Sequence, residues 1–283
     1  MTTSDQASGP TSDQASGSTS EPLSPVSRTA LSVARVRAHE SARPEPLFVD
    51  PYAAAFVAAA DLPAPAADRG SALAKSLVAH GILRTRFYDD RLLAAGAEQV
   101  VLLAAGLDTR AYRLDWPAGT RVFELDLAPV LAFKDQVLDG LGARPSSDRS
   151  TLPADLRDPD WPARLVEAGF DPARPSAWLA EGLLVYLTAE EAAGLLTAVA
   201  DLAAPGSRLL LEKGGDPAAA PQDPSLAHIT DLWRGGLGPD THGWLDRHGW
   251  TSELTTLDRI AETYGRPLSR ATTRGFIEAV RRP

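Results

Sequence analysis

The feature that most constrains the fold is the run Val100-Val-Leu-Leu103 and the turn behind it. Four apolar residues without alternation suit a strand buried on both faces, as in a parallel sheet covered by helices. The run opens into Ala104-Ala-Gly-Leu-Asp-Thr-Arg110, a turn rich in small residues, and Ala111 to Leu114 reads as a short helix. A second strand, Arg121 to Leu125, is followed by a helical stretch from Pro129 to Leu141. The alternation then repeats. Pro153 to Arg157 sits at a strand end or loop, and Trp161 to Ala168 reads as a helix. A strand opens at Ala177 and ends at Ala180-Glu-Gly-Leu-Leu184. Thr188 caps a helix from Ala189 to Ala203, with Glu190 and Glu191 in its first turn. Ser207 to Glu212 is the next strand. Such alternation predicts an α/β fold with a doubly wound, mostly parallel sheet and helices on both faces.

Other segments flank this core. Helices are expected at Thr29–Glu40, ending before Pro44, at Pro51–Ala60, and at Ala72–Ala95, the last broken near Gly81. Residues 214–249 are rich in Pro and Gly and read as irregular. Thr251 to Leu257 is a candidate strand, Leu257 to Gly265 carries a short helix, and Phe276 to Val280 is the last strand. Residues 1–27 contain the duplication Thr3-Ser-Asp-Gln-Ala-Ser-Gly9 and Thr11-Ser-Asp-Gln-Ala-Ser-Gly17. Too little apolar surface is present there to offset the entropy of ordering, so a disordered tail is expected.

Composition narrows the chemistry. The 283 residues carry a formal net charge of -9, which disfavours general binding to a phosphate backbone. There is no cysteine, so disulfides, thiolate metal sites and a cysteine nucleophile are excluded. No closely spaced His/carboxylate cluster suggests a metal. No apolar run reaches membrane-spanning length, and the polar start does not read as a secretory signal, so a cytoplasmic location is the expectation.

In open α/β sheets a ligand binds at the carboxyl ends of the strands, where strand order reverses. The small residues Ala104, Ala105 and Gly106 would let it approach the backbone closely. About two dozen residues after the start of that strand comes Phe123-Glu-Leu-Asp126. An acid there is the usual partner of ribose hydroxyls. Glu124 and Asp126 share a strand face, and Asp126, just past the strand, is better placed to reach the cleft. A nicotinamide dinucleotide needs a glycine-rich turn for its pyrophosphate, whereas this turn has only Gly106 and then Asp108. A sulfonium nucleoside with an amino-acid tail carries no phosphate and tolerates that carboxylate.

The segment Leu103-Ala-Ala-Gly-Leu-Asp-Thr-Arg-Ala-Tyr-Arg-Leu114, with Val122-Phe-Glu-Leu-Asp126 and Lys134, resembles the leucine carboxyl methyltransferase family. The resemblance is to an actinobacterial branch of S-adenosylmethionine-dependent methyltransferases. It extends to Arg37-Ala-His-Glu-Ser41 with Phe48-Val-Asp-Pro-Tyr52, to Arg84-Thr-Arg-Phe-Tyr-Asp-Asp90, and to Glu181-Gly-Leu-Leu-Val-Tyr-Leu-Thr188. It covers the chain from about Arg28 onward. It implies a Rossmann-like class I fold with seven strands and an N-terminal helical lid. The organisation it implies is one domain over 28–283: a helical cap to 98, a cofactor-binding core over 99–213, a substrate lid over 214–249, and C-terminal strands. The implied cofactor is S-adenosylmethionine. Arg84 would bind its carboxylate, with Arg37 reaching in from the N-terminal helix. Ala104 to Gly106 would pass beneath it, the family commonly having Gly where this chain has Ala104. Asp126, with Leu127, would hold the ribose; Asp155 and Leu156 would contact the adenine; Glu181 would face the methionine portion. Asp108 and Arg110 are expected to pair and shape the turn.

Methyl transfer from a sulfonium is an in-line displacement that depends mainly on positioning. A carboxylate acceptor is already charged at neutral pH, while a hydroxyl or amine needs a base. Candidates are His228 and His242 in the irregular segment and Tyr186, each with an alternative role in packing. O-methylation, at a carboxylate or a hydroxyl, of a small metabolite or secondary-metabolite precursor is expected, the substrate being a small molecule or a peptide carboxylate. Two other readings remain open: an NAD(P)-dependent reductase, and a non-catalytic protein that binds the nucleoside.

Overall fold

The computed structural model describes residues 25–60, 72–214, 230–268, 272 and 274–283. The duplicated segment near the N-terminus and His228 lie outside the described residues. Three helices come first: α1 (Pro25–Ser41), α2 (Ala53–Ala59) and α3 (Ala72–Ala95). Strand and helix then alternate: β1 (Gln99–Leu103), α4 (Arg110–Arg113), β2 (Arg121–Asp126), α5 (Ala128–Gly140), β3 (Asp148–Pro153), α6 (Trp161–Glu167) and β4 (Ala177–Ala180). A 3₁₀ turn at Leu184–Tyr186 leads into α7 (Ala189–Leu202) and β5 (Arg208–Glu212). The described chain closes with α8 (Thr241–Arg247), β6 (Trp250–Thr256), α9 (Leu257–Thr263) and β7 (Gly275–Arg281).

The strands form one sheet in the order β3-β2-β1-β4-β5-β7-β6. The first five are parallel, and β7 runs antiparallel between β5 and β6. Strand order reverses between β1 and β4. Both are buried along their whole length, which is why they read as uninterrupted apolar runs. Alternate residues serve opposite faces. Val101, Leu103, Phe123 and Trp178 pack with Trp161, Leu165, Leu196 and Val199 of α6 and α7. Val100, Leu102, Val122 and Leu179 pack with Leu83, Phe87 and Leu92 of α3 and with Ile260 of α9.

Three departures from the sequence reading have physical causes. Helix α3 is continuous through Gly81, where a break was expected. A Cβ on Gly81 would lie 3.1 Å from Val36 Cγ1, so the glycine serves the close approach of α1 and not a helix end. The second departure is β3, an edge strand of polar sequence with only Leu152 buried, so no apolar pattern marked it. The third is helix α8, which lies in the stretch read as irregular. It is a single short helix anchored by the fully buried Leu245. Residues 25–27, assigned to the tail, open helix α1. No described helix is long and apolar enough to cross a membrane.

Candidate active site

A cavity of about 410 Å³ opens at the carboxyl ends of β1, β2 and β4, beneath α1. That lies within the usual range for small-ligand sites. Its floor is the turn after β1. Ala104 sits at φ 51°, the only non-glycine residue at positive φ among the described residues, and Gly106 also has φ 51°. The doubled left-handed bend turns the chain sharply, and the floor carries no side chain larger than a methyl over 104–106. Helix α1 closes over it. A Cβ on Gly106 would stand 3.3 Å from the Ala30 methyl. Thr29, Ala30, Val33 and Arg37 of α1 all line the cavity.

Asp126 ends β2 and lines the same space. Its Oδ2 accepts the Gly106 N–H at 2.6 Å and its Oδ1 the Leu127 N–H at 2.7 Å. Each oxygen keeps a lone pair for a further donor. Burial pushes the Asp126 carboxyl above its ordinary value, against the opposing pull of those two backbone bonds. Glu124, on the same strand face, is fully buried and bound to Lys134 and Arg149. It is therefore structural, and Asp126 is the acid that faces the cleft. Leu127 and the run Ala154, Asp155, Leu156 line the neighbouring wall. Asp155 is bound by Arg157, whose Nε lies 2.9 Å from Oδ1, and this bond holds the Asp155 carboxyl below its usual range.

The opposite wall is a chain of buried ions. Arg84 Nε donates to Glu181 Oε1 at 2.8 Å, and its Nη1 donates to Glu212 Oε1 at 2.6 Å. Arg110 donates to Glu181 Oε2 at 2.7 Å, to Asp89 Oδ1 at 2.7 Å and to Asp108 Oδ2. Arg113 adds two bonds to Asp89. Burial raises the Glu181 carboxyl, but Arg110 and Arg84 outweigh it and the group ends below its ordinary value. Burial raises Asp108 and Glu212 too, but Arg110 outweighs it and sets Asp108 at about 2, and Arg84 with His80 outweighs it and sets Glu212 at about 2. Arg37 donates to Asp50 Oδ2 at 2.8 Å and to the Leu107 carbonyl, tying α1 to the floor turn.

The cavity thus brings together Arg37, Arg84, Ala104 to Gly106, Asp126, Leu127, Asp155, Leu156, Glu181 and Tyr186. It does not bring in His242. That ring is 2.8 Å from Ser252 Oγ on β6 and is absent from the lining, so its role is in packing α8 onto the sheet edge. Among the described residues none from 230–249 lines the cavity; the covering element there is α1. Sequence reading missed Glu212, Asp89 and Asp50, which hold the site's arginines. For Asp89 and Asp50 the signal was present in the quoted motifs Arg84–Asp90 and Phe48–Tyr52; for Glu212 a strand-end acid was the only hint.

A sheet of this strand order, with an acid at the end of β2 lining the crevice where the order reverses, is laid out to take a ligand at the strand ends. Comparison with known proteins supplies the class. The profile of the family described as leucine carboxyl methyltransferase matches residues 30–200. A protein of Parafrankia sp. named for S-adenosyl-L-methionine-dependent methyltransferase activity is 50% identical over 256 residues, 86% of this chain and 82% of that protein. One of Frankia alni with the same kind of name is 48% identical, covering 91% of this chain and 95% of that one. The chain belongs to the leucine carboxyl methyltransferase family and is a methyltransferase. In fold it resembles a methyltransferase structure from Thermobifida fusca, with a TM-score of 0.53 and 20% identity, covering 88% of this chain and 94% of that one. A duf574 family protein from Streptomyces avermitilis is similar at a TM-score of 0.57 and 17% identity, covering 88% and 97%.

Proposed function

We propose that this enzyme transfers the methyl group of S-adenosyl-L-methionine to an oxygen of a small molecule or peptide, with a carboxylate as the favoured acceptor. The residues fit that cofactor. Asp126 would offer two lone pairs to ribose hydroxyls, Asp155 and Leu156 line the adjoining wall and would meet an adenine edge, and the floor turn carries Asp108, which a phosphate-free ligand tolerates. The cavity wall and the ions behind it are anionic overall: Arg37, Arg84, Arg110 and Arg113 face Asp50, Asp89, Asp108, Asp126, Glu181 and Glu212. Such a surface favours a ligand with a sulfonium and an ammonium group. When bound, the sulfonium supplies a methyl group to the acceptor oxygen and leaves as a neutral thioether.

The observation that carries the choice of acceptor is how arginines hold the carboxylates of the ion wall. Among the described residues lining the cavity there is no histidine and no lysine. Glu181 and Asp108 are held below their ordinary range by arginines and are poor proton acceptors. A carboxylate acceptor needs no proton removed, since its oxygen attacks as the anion. The chain's contribution is then to hold and orient both partners and, through α1, to exclude water.

The test is isothermal titration with S-adenosyl-L-methionine and S-adenosylhomocysteine, on the native chain and Asp126→Ala, followed by turnover with carboxylate, phenol and amine acceptors. Micromolar binding lost in the variant, and turnover confined to carboxylates, is the expected result. Binding with turnover only on amines would overturn the acceptor assignment.

A further inference from the structure

Arg84 is the residue expected to bind the cofactor carboxylate, yet two of its three nitrogens are already engaged. Nε is bound to Glu181 and Nη1 to Glu212, while Nη2 makes no hydrogen bond among the described residues. The Arg84 side chain is 11% exposed, and the residue lines the cavity. A planar guanidinium held at two corners has no freedom left to turn, so the direction of its third corner is fixed. Gly182 completes the clamp. A Cβ there would lie 3.3 Å from Nη1 and 3.7 Å from Nη2, so the guanidinium rests against bare backbone. Glu212 is itself fixed from the other side by His80, whose Nε2 lies 3.5 Å from the same Oε1.

We infer that Glu212, at the end of β5, is a positioning residue. It acts through Arg84 to aim Nη2 at the carboxylate of the cofactor's amino-acid tail. This rests on the proposed cofactor site. Two effects compete when Glu212 is removed. Loss of a nearby negative charge strengthens the attraction of Arg84 for any carboxylate. Loss of the second anchor lets the guanidinium rotate about its bond to Glu181, and a charge-assisted contact depends strongly on alignment. Geometry dominates here, because Glu181 alone holds only one edge of the group.

The experiment measures affinity for three ligands: S-adenosylhomocysteine, its decarboxylated analogue, which keeps the amine, and 5′-methylthioadenosine, which lacks the tail. Glu212→Ala is expected to weaken S-adenosylhomocysteine about tenfold and to leave the other two within about twofold. Glu212→Gln keeps an acceptor oxygen for Nη1 and removes the charge, so its affinity for S-adenosylhomocysteine should stay within about twofold of the native chain. Thermal melts confirm that both variants fold. An equal loss for all three ligands, or a loss shared by the decarboxylated analogue, overturns the inference in favour of a structural or ammonium-binding role. Glu212→Gln as weak as Glu212→Ala also overturns it, since a retained acceptor for Nη1 would then not aim the group. If the native chain binds none of the three, the cofactor site itself is wrong, a result distinct from failure of the positioning role.

Discussion

Lys134 offers the sharpest test of how the second strand is held. Its ammonium is fully buried, 2.8 Å from Glu124 Oε2, and Glu124 is fully buried too. Arg149 Nη2 reaches the same oxygen at 2.7 Å, and also lies 2.8 Å from Asp135 Oδ1. Glu124 Oε1 has no hydrogen-bond partner, and the Lys134 contact is one of charge, without hydrogen-bond geometry. Removing one member of a buried pair leaves an uncompensated charge and costs about 3–5 kcal/mol. In Lys134→Met the carboxylate keeps Arg149, so the low end applies, about 3 kcal/mol. For a domain of this size that is a fall in Tm of roughly 6–12 °C. The double variant Glu124→Gln/Lys134→Met removes both charges and leaves Arg149 with Asp135. It should be more stable than Lys134→Met alone, within about 2 kcal/mol of the native chain. Urea and thermal denaturation of the native chain, both single variants and the double one give the cycle. A double variant whose loss equals the sum of the single losses would refute the pairing.

Two further predictions concern the cleft. In the proposed cofactor site Asp126 accepts from both ribose hydroxyls as a carboxylate, and burial raises its carboxyl above 3.8, while Glu212 stays near 2. Because the bound state needs the deprotonated acid, affinity for S-adenosylhomocysteine should fall about tenfold per pH unit once pH drops below that raised value. Titration at several pH values checks this, and Asp126→Asn should bind weakly with a flat profile. The same shift disfavours the charged form in the fold, so the free enzyme's stability cost from Asp126 is present above its folded pKa and disappears at lower pH. At the floor turn, Ala104 stands at φ 51°. A β-branched residue there is a far worse fit than alanine, so Ala104→Val should cost about 2 kcal/mol or more, while Ala104→Gly stays within about 1 kcal/mol because strain relief is offset by unfolded-state entropy. Chemical denaturation separates the two.

These residues also show what the sequence could reveal. The strand-turn-strand core was legible because β1 and β4 are buried on both sides and must be apolar. The start of α7 was legible because Thr188 and Glu191 form a local capping box, Glu191 N–H to Thr188 Oγ1 at 3.2 Å and Thr188 N–H to Glu191 Oε2 at 2.8 Å. Asp126 was legible because strand register puts it at the mouth of the cleft. The edge strand β3 was not, since an edge needs no apolar pattern. Gly81 was misread because a glycine in a helix signals either an end or a close neighbour, and only the packing of Val36 decides between them. The ion wall was out of reach for a further reason. Arg84 and Glu212 are 128 residues apart, and Arg110 and Glu181 are 71 apart. No local spacing encodes such pairs; the fold alone brings them together.

The charge layout also bears on the proposed carboxylate acceptor. Transfer of a methyl group from a sulfonium to a carboxylate turns two opposite charges into two neutral products. Water stabilises the separated charges of the reactants more than the neutral products, so a sealed site favours the reaction. Helix α1 covers one side of the cavity, tied down by Arg37 to Asp50 and to the turn carrying Leu107. An anionic wall alone would repel the acceptor, and it would hold the cationic cofactor without directing it. The arginines set within the wall answer both problems. Arg84 is bound by Glu181 and Glu212, and Arg37 by Asp50 and the Leu107 carbonyl, so neither turns freely, and both still line the cavity. In the proposed reaction the carboxylates therefore do two things: they make the cleft attractive to a sulfonium, and they fix the cations that would meet anionic groups inside it.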